Sequence, residues 1–385
     1  MTPQEQRLER LLLETQHAIM QDVVRRIRRN AGQIGSAADW QLDRLNQLGE
    51  SKAQIRKLLK KLLKLSDKEI NALFRDTAKQ SYVRSKALYE AQGKSQPPIG
   101  KNDALQQLVD AAFSQTQGEF RNLTGSLGFA VYEGGKLVFQ PIAEYYQHTL
   151  DRAVADVASG AFDYTAVLNR TVGEMVRSGV RTVDYATGYH CRIETAARRA
   201  VLTGLNQITG KVQERNAEAL GTEYFETSFH MTARPTHQPW QGRVYSKEAL
   251  VTVCGLGSVT GLNGANCRHT YYPFIPGVSE RMYTDEQLEK LTEEMNRERD
   301  YNGKPYTLYE ATQRQRRLET RMRAYRQKIK LLEEGGDADG ALAAKCKYRA
   351  VSQEYTKFSK AMGLPEQRER VTVDGLGTIG QLPKQ

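Results

Sequence analysis

Closely spaced cysteines and long apolar runs are both missing from this chain. Its 385 residues include only four cysteines, which are widely spaced and form no C-x-x-C pair. This spacing excludes a small secreted domain built on disulfides and indicates a reducing compartment. No run of about 18 apolar residues occurs, and the first residues are too charged for a signal peptide. We therefore expect a soluble protein without a membrane partner.

Acidic residues are in the minority. The chain has 56 Lys and Arg against 45 Asp and Glu, which gives a formal net charge of +11. Clustered basic side chains favour an anionic partner because they release counterions from a phosphate backbone. The basic residues concentrate in segments 25–29, 52–64 and 314–330. The charge thus favours an anionic partner without identifying it.

Helical spacing of apolar residues extends over most of the chain. Segment 52–64 shows the pattern most clearly, with one apolar stripe and basic residues on the remaining surface. The stripe consists of Ile55, Leu58, Leu59, Leu62 and Leu63. Such a helix fits either a solvated face opposite a bundle core or a surface that docks DNA or an acidic protein. The sequence Ser66-Asp67-Lys68-Glu69 is typical of a capping box and predicts a new helix to about residue 91.

Glycine and proline positions divide the chain into regions. We predict a predominantly α fold of the α+β class, in which long central helices lead into a small irregular β-containing site domain. A Gly-Gly turn between two β-prone runs predicts a short hairpin at 129–139. The predicted regions are an N-terminal helical region (1–92), a linker (93–101), a central helical region with the hairpin (102–220), a β/loop site domain (221–283), a C-terminal helical hairpin (284–363) and an extended tail (364–385).

Metal-binding side chains gather in segment 229–277, which holds three of the six histidines. Zinc takes four nitrogen or sulfur ligands in a tetrahedron. His230 with His237, and Cys267 with His269, could supply two such pairs, although their spacings are unusual for a structural zinc site. Two other interpretations remain open. The histidines could bond backbone carbonyls in a metal-free loop with Cys267 simply buried. Alternatively, a thiolate–imidazole pair could serve a hydrolase.

The order of motifs in this segment resembles a known family. The motifs are His230, Ala233-Arg234-Pro235-Thr236-His237, Trp240-Gln241-Gly242 and Gly264-Ala265-Asn266-Cys267-Arg268-His269. This order and spacing resemble the tailed-phage minor capsid protein 2 family and, more distantly, the Mu F-type phage head morphogenesis proteins. The resemblance covers the middle and the C-terminal half of the chain. The N-terminal third matches by its helical character only.

The resemblance implies a structural minor capsid protein of a tailed bacteriophage and not an enzyme. It implies a place in the virion, in the capsid interior near the portal vertex, after synthesis in the host cytoplasm. The implied partners are the portal protein, other head proteins and packaged viral DNA, with roles in head assembly and in DNA packaging or ejection. The alternatives are a phage-encoded hydrolase or transferase centred on Cys267 and its neighbouring histidines, and a nucleic-acid-binding protein of the host cytoplasm.

Segment 314–330 contains eight basic residues and one acid, Glu319. No base-reading motif lies beside them, so we predict non-specific contacts with DNA phosphates. The predicted contact residues are Arg314, Arg316, Arg317, Arg321, Arg323, Arg326, Lys328 and Lys330.

Overall fold

Helices account for most of the structure. The computed structural model describes residues 2–30, 37–98, 102–158, 163–184 and 186–379. The elements up to residue 220 are α1 (Pro3–Asn30), α2 (Ala37–Val83), α3 (Lys86–Ala91), α4 (Asp103–Gly125), β1 (Leu127–Glu133), β2 (Lys136–Pro141), α5 (Ile142–Ala158), α6 (Tyr164–Ser178), β3 (Arg181–Val183), β4 (His190–Arg192) and α7 (Ile193–Leu220). The elements after residue 220 are β5 (Tyr224–Thr227), β6 (Val244–Ser246), α8 (Lys247–Thr252), β7 (Tyr271–Phe274), α9 (Asp285–Asn296), β8 (Arg299–Tyr301), β9 (Lys304–Tyr306), α10 (Leu308–Gly335), α11 (Ala338–Met362) and α12 (Glu369–Thr372). The expected predominantly helical α+β class is confirmed.

Small antiparallel sheets interrupt the helices. One sheet has the strand order β2-β1-β3-β4, a second has the order β6-β5-β7, and β8 pairs with β9. The first two strands form the hairpin expected from the sequence, with Val131 opposite Val138. Gly134 and Gly135 make its turn with φ of 55° and 79°, a region that glycine enters at little cost. The hairpin prediction is therefore confirmed.

One large core connects helices from distant parts of the chain. It includes Ile19 of α1, Phe74 of α2, Ile208 of α7 and Leu331 of α10, all at most 1% exposed. At Gly204 a Cβ would lie 2.4 Å from the Phe74 ring, so α7 approaches α2 closely because it has no side chain there. This core crosses the boundaries of the predicted N-terminal, central and C-terminal regions, whose division stays a prediction.

The basic amphipathic segment lies within α2. Its apolar stripe packs on the large core, as the helical spacing predicts. The predicted helix start at Ser66 is wrong, because α2 continues through this residue to Val83 and Ser66 is fully buried. The apolar stripe resumes at Ile70 and Phe74 on the same core, and this packing outweighs a local capping signal.

The segment after α11 does not form the expected extended arm as far as residue 379. It turns back onto α10, forms the short helix α12, and buries Val371 and Asp374 to 1% and 2% exposure. Asp374 pairs with Arg326 of α10, which holds this polar segment in place. Residues 99–101 of the predicted linker and 380–385 of the predicted tail lie outside the described residues.

The long helix that leads into the site region is α7, which begins at Ile193 directly after β4. Gly221 ends this helix in the left-handed conformation with φ of 75°. Within the described ranges, no helix is both long enough and apolar enough to span a membrane.

Candidate metal centre

Three of the predicted ligands meet in the small β/loop region. His237 lies at the end of a 3-10 turn, Pro235–His237, that precedes Trp240. Cys267 and His269 arrive from the loop before β7, which pairs with β5. His237 is 2% exposed, Cys267 is 1% exposed and His269 is 3% exposed. The fold therefore closes a loop of about thirty residues by bringing its two ends to one buried point.

The distances among the three ligand atoms match those of a tetrahedral zinc shell. The two Nδ1 atoms of His237 and His269 are 3.3 Å apart. Sγ of Cys267 lies 3.6 Å from Nδ1 of His269 and 3.8 Å from Nδ1 of His237. Zn–N bonds of about 2.0–2.1 Å and Zn–S bonds of about 2.3 Å imply separations of about 3.3–3.4 Å for N–N and about 3.6 Å for N–S. The observed distances agree to within about 0.2 Å, so this group could hold a metal ion.

Hydrogen bonds on the far side of each ring fix where the protons are. Nε2 of His237 lies 2.8 Å from the Thr260 carbonyl oxygen, which can only accept. Nε2 of His269 lies 3.0 Å from Oε1 of Gln241, an oxygen that also accepts from the His230 backbone N–H. Both rings therefore donate from Nε2 and present the Nδ1 lone pair to each other. This carbonyl-anchored arrangement is typical of histidines that ligate a metal, and a cation between the two Nδ1 atoms removes their repulsion.

Burial keeps both imidazoles neutral, as metal ligands must be. It is the main cause that lowers the pKa of His269 to about 3, and the neighbouring His230 and His237 lower that pKa further. Burial also lowers the pKa of His237. The pKa of the Cys267 thiol is raised by burial, which is the opposite of the activation that a nucleophilic cysteine needs. The raised thiol pKa thus argues against the hydrolase alternative, whereas a bound metal ion would itself deprotonate the thiol.

His230 stands beside this group but outside it. Its Nε2 lies 3.0 Å from the Arg268 carbonyl oxygen and 3.2 Å from Oγ of Ser228. Its ring meets the His269 ring edge-on, with centroids 4.7 Å apart. The structure therefore brings His237, Cys267 and His269 together and gives His230 the carbonyl partner that the metal-free interpretation expects.

A small apolar core supports the group. The Trp240 ring lies 4.6 Å from the His237 ring and 4.8 Å from the His269 ring, measured between centroids. Phe225 of β5 and Tyr271 of β7 pack edge to face behind them. In the loop between the ligands, a Cβ on Gly261 would lie 2.1 Å from the Gly255 carbonyl oxygen. The absence of a side chain at Gly261 therefore allows these backbone segments to approach closely.

Comparison with known proteins places this chain in a family. Residues 2–360 match the family described as Phage minor capsid protein 2. The chain belongs to this family. It is also 22% identical over 324 residues to a protein named "Structural protein" from Lactococcus phage LL-H, with 80% of this chain and 81% of that protein covered. No solved structure matches. The match over nearly the whole chain confirms the resemblance carried by the motifs between His230 and His269.

Family membership assigns this chain a phage structural role and a place in the virion. Members of a structural family have other head proteins as partners. The family is one of structural phage proteins, which favours a structural over an enzymatic role for this chain.

Most of the predicted DNA-contacting residues of α10 are occupied within the protein. Arg326 is 2% exposed and paired with Asp374, so it does not reach the surface. The others with intramolecular partners are Arg314 with Glu354, Arg323 with Glu9, Lys328 with Asn169 and Lys330 with Glu333. Arg316 is partly buried, and Arg317 and Arg321 are exposed. The number of basic residues in segment 314–330 thus overstates the basic surface of α10, because this helix packs against other helices on several sides.

The more open basic face is on α2. Six basic side chains there are all exposed, and none forms an ion pair with a described carboxylate: Lys52, Arg56, Lys57, Lys60, Lys61 and Lys64. In the sequence, the amphipathic spacing of segment 52–64 was the signal for this exposed basic face. That α2 exposes more basic charge than α10 follows only from the tertiary packing.

Proposed function

We propose that this chain is a minor head protein that binds the portal on the capsid interior and contributes to head assembly and to DNA packaging or ejection. The observation that carries the proposal is the family match over residues 2–360. Two features support it. The chain has a net charge of +11, and α2 exposes a basic face that suits a neighbourhood of packaged DNA.

Co-expression with the portal protein of the same phage tests this proposal. We expect the two proteins to co-elute in size-exclusion chromatography at low and moderate salt. A variant with the α2 charges neutralised serves as a control for simple charge attraction, and it should still co-elute. If both proteins are folded and never co-purify, portal binding is contradicted.

We also infer that His237, Cys267 and His269 hold one zinc ion. A set of two imidazoles and one thiolate suits zinc among the common divalent metals. The ion would tie the turn after β5 to the loop before β7, so its binding free energy would contribute to the folding of this region. We expect elemental analysis of protein purified without a His tag to find about one zinc per chain.

A matched pair of cysteine variants makes the zinc test specific. Cys254 lies in the same small core as Cys267 and is equally buried, at 1% exposure, but it is not part of the ligand group. Cys267→Ala should lose the metal, whereas Cys254→Ala should keep it. If the purified wild type contains no metal and a chelator does not change its melting temperature, the zinc proposal is wrong. The hydrogen-bonded, metal-free loop is then the correct interpretation.

We propose that DNA contacts come mainly from the α2 face. Each phosphate neutralised on duplex DNA adds about 0.9 to the slope of log K against log salt. The double variant Lys57→Gln/Lys61→Gln should therefore lower this slope by up to about 1.8. Arg317→Gln/Arg321→Gln tests the exposed part of α10 in the same way. Lys357→Gln/Lys360→Gln on α11 removes the same charge from another exposed surface and is the control. If the slope of every variant equals that of the wild type, DNA contacts at the α2 face and at α10 are both contradicted.

A further inference from the structure

A cleft with a concentration of arginines lies between α1, α7, α10 and the loop that carries Cys267. Its volume is about 340 Å³, and its floor is apolar, with Leu8, Val201 and Leu205 among the residues. Since one water occupies about 30 Å³ in the liquid, the cleft has room for a ligand of roughly ten waters' volume. Its walls carry five arginines: Arg198, Arg268, Arg316, Arg323 and Arg370.

The carboxylates of the cleft neutralise only some of these arginines. Glu9 is shared by Arg198 at 3.3 Å and Arg323 at 3.7 Å. Glu319 lies 3.9 Å from Arg370. Arg268 and Arg316 form no ion pair with any carboxylate in the described part of the chain. Two guanidinium groups in one cleft thus have no carboxylate in direct contact, and Glu5 and Glu319 act on them only at longer range.

Their surroundings make this arrangement costly without a ligand. Burial is the main cause that lowers the pKa of Arg316 to about 10, and the charges of Arg268, Arg370 and Arg198 lower that pKa further. A guanidinium nevertheless stays charged at neutral pH. The arginines therefore repel one another across the cleft, and an anion placed between them would relieve the repulsion.

We propose that this cleft binds a compact phosphate group, with Arg268 and Arg316 as its main partners. Guanidinium groups bind phosphate through paired N–H donors, and phosphate offers more acceptor oxygens and more charge than a carboxylate. Several arginines around one cleft therefore match phosphate better than a single carboxylate.

Acidic residues in the same cleft limit the size of the ligand. Four carboxylates line it beside the five arginines: Glu5, Glu9, Glu319 and Glu194, the last of which pairs with Arg192 outside the cleft. Successive phosphates of a nucleic-acid strand laid across the cleft would meet these carboxylates. A single phosphate, either free or at the end of a chain, avoids them.

Calorimetry with inorganic phosphate tests the proposal on the full chain. Titrations are run against sodium chloride at matched ionic strength, and melting temperature is followed in parallel. We expect saturable binding and a rise in melting temperature with phosphate. Arg316→Gln and Arg268→Gln should each weaken binding roughly tenfold or more, since each removes a charge-assisted hydrogen bond. Without phosphate, Arg316→Gln should melt no lower than the wild type, because repulsion is relieved.

Arg215→Gln is the matched control. Arg215 is exposed on α7, the helix that also carries Arg198, and it does not line the cleft. Phosphate binding should survive this change. If the wild type shows no saturable phosphate binding, or if Arg215→Gln weakens it as much as Arg316→Gln does, the proposal is wrong. If Arg316→Gln does not fold, Arg268→Gln tests the proposal instead, because Arg268 is the more exposed of the two arginines.

Short oligonucleotides distinguish the source of the phosphate. Binding of a 5′-phosphorylated strand in preference to the same strand without the phosphate, lost in Arg316→Gln, would identify a terminal phosphate. Equal binding of both strands, still dependent on Arg316, would identify a backbone phosphate and overturn the restriction to a single free or terminal phosphate. An acidic peptide that binds through Arg316 while phosphate does not would overturn the proposal. Portal co-elution and zinc content are measured separately, so their failure leaves this test unaffected.

Discussion

Removing the carboxylate of Asp374 should detach the C-terminal segment from α10. Nε of Arg326 donates to Oδ2 of Asp374 at 2.7 Å, and its Nη2 donates to Oδ1 at 2.8 Å. Nη2 also donates to the Gly377 carbonyl oxygen at 2.9 Å. Both side chains of the ion pair are 2% exposed. This pair is thus a buried, two-point contact between α10 and the segment that follows α11.

The magnitude follows from the burial of both partners. Asp374→Ala leaves a guanidinium in the interior without its counter-charge, and breaking a buried pair in this way costs about 3–5 kcal/mol. The double variant Arg326→Met/Asp374→Leu removes both charges and should recover most of that loss, because apolar replacements of buried pairs are often neutral. Detachment of the segment would let water reach Arg326, so about 3–5 kcal/mol is an upper limit for the local cost.

Hydrogen exchange of residues 371–376 is the most direct assay. It reports local opening even if the rest of the protein stays folded. Urea unfolding of the whole chain gives the global change in free energy. Glu366→Ala is the control in the same segment, because its ion pair with Arg368, at 2.6 Å, has side chains 31% and 41% exposed. Exposed pairs contribute about 0–1 kcal/mol. If Asp374→Ala costs no more than Glu366→Ala, the buried pair does not hold the segment.

Two further predictions concern the large core. Burial lowers the pKa of His17 from 6.5 to about 4, so the unfolded chain binds a proton between these values that the folded chain does not. Stability should therefore fall as pH drops from 6.5 toward 4, by up to about 3 kcal/mol, and His17→Leu should remove this loss. His148→Leu, which changes an exposed histidine, should leave the loss of stability at low pH in place. If His17→Leu shows the same loss at low pH as the wild type, the argument is contradicted. Gly204→Ala should cost about 1–3 kcal/mol in urea unfolding because its Cβ meets Phe74. Gly118→Ala, which meets no atom within 4 Å, should be neutral or stabilising, and equal effects of the two changes would be the refuting result.

Local patterns in the sequence were sufficient for the predominantly helical character, the β1–β2 hairpin and the family, although not for every helix boundary. Amphipathic spacing depends on neighbours three and four residues apart, so the stripe from Ile55 to Leu63 could be assigned from the sequence alone. A Gly-Gly turn between β-prone runs is equally local. The motifs between His230 and His269 identified the family because their order and spacing are a property of the chain.

Tertiary packing decided which of those residues meet and which reach solvent. Asp374 and Arg326 lie 48 residues apart, so no local pattern pairs them. The sequence grouped His237 and Cys267, 30 residues apart, with His230, and only the fold places His230 outside that group. The cap predicted at Ser66 failed because burial of the stripe that follows it stabilises the continuous helix more than a cap would. Likewise, α10 and α2 are both basic in sequence, but only packing decides that α10 is enclosed and that the α2 charges face solvent. Burial and charge pairing are sums over contacts from distant segments, and these contacts exist only once the chain has folded.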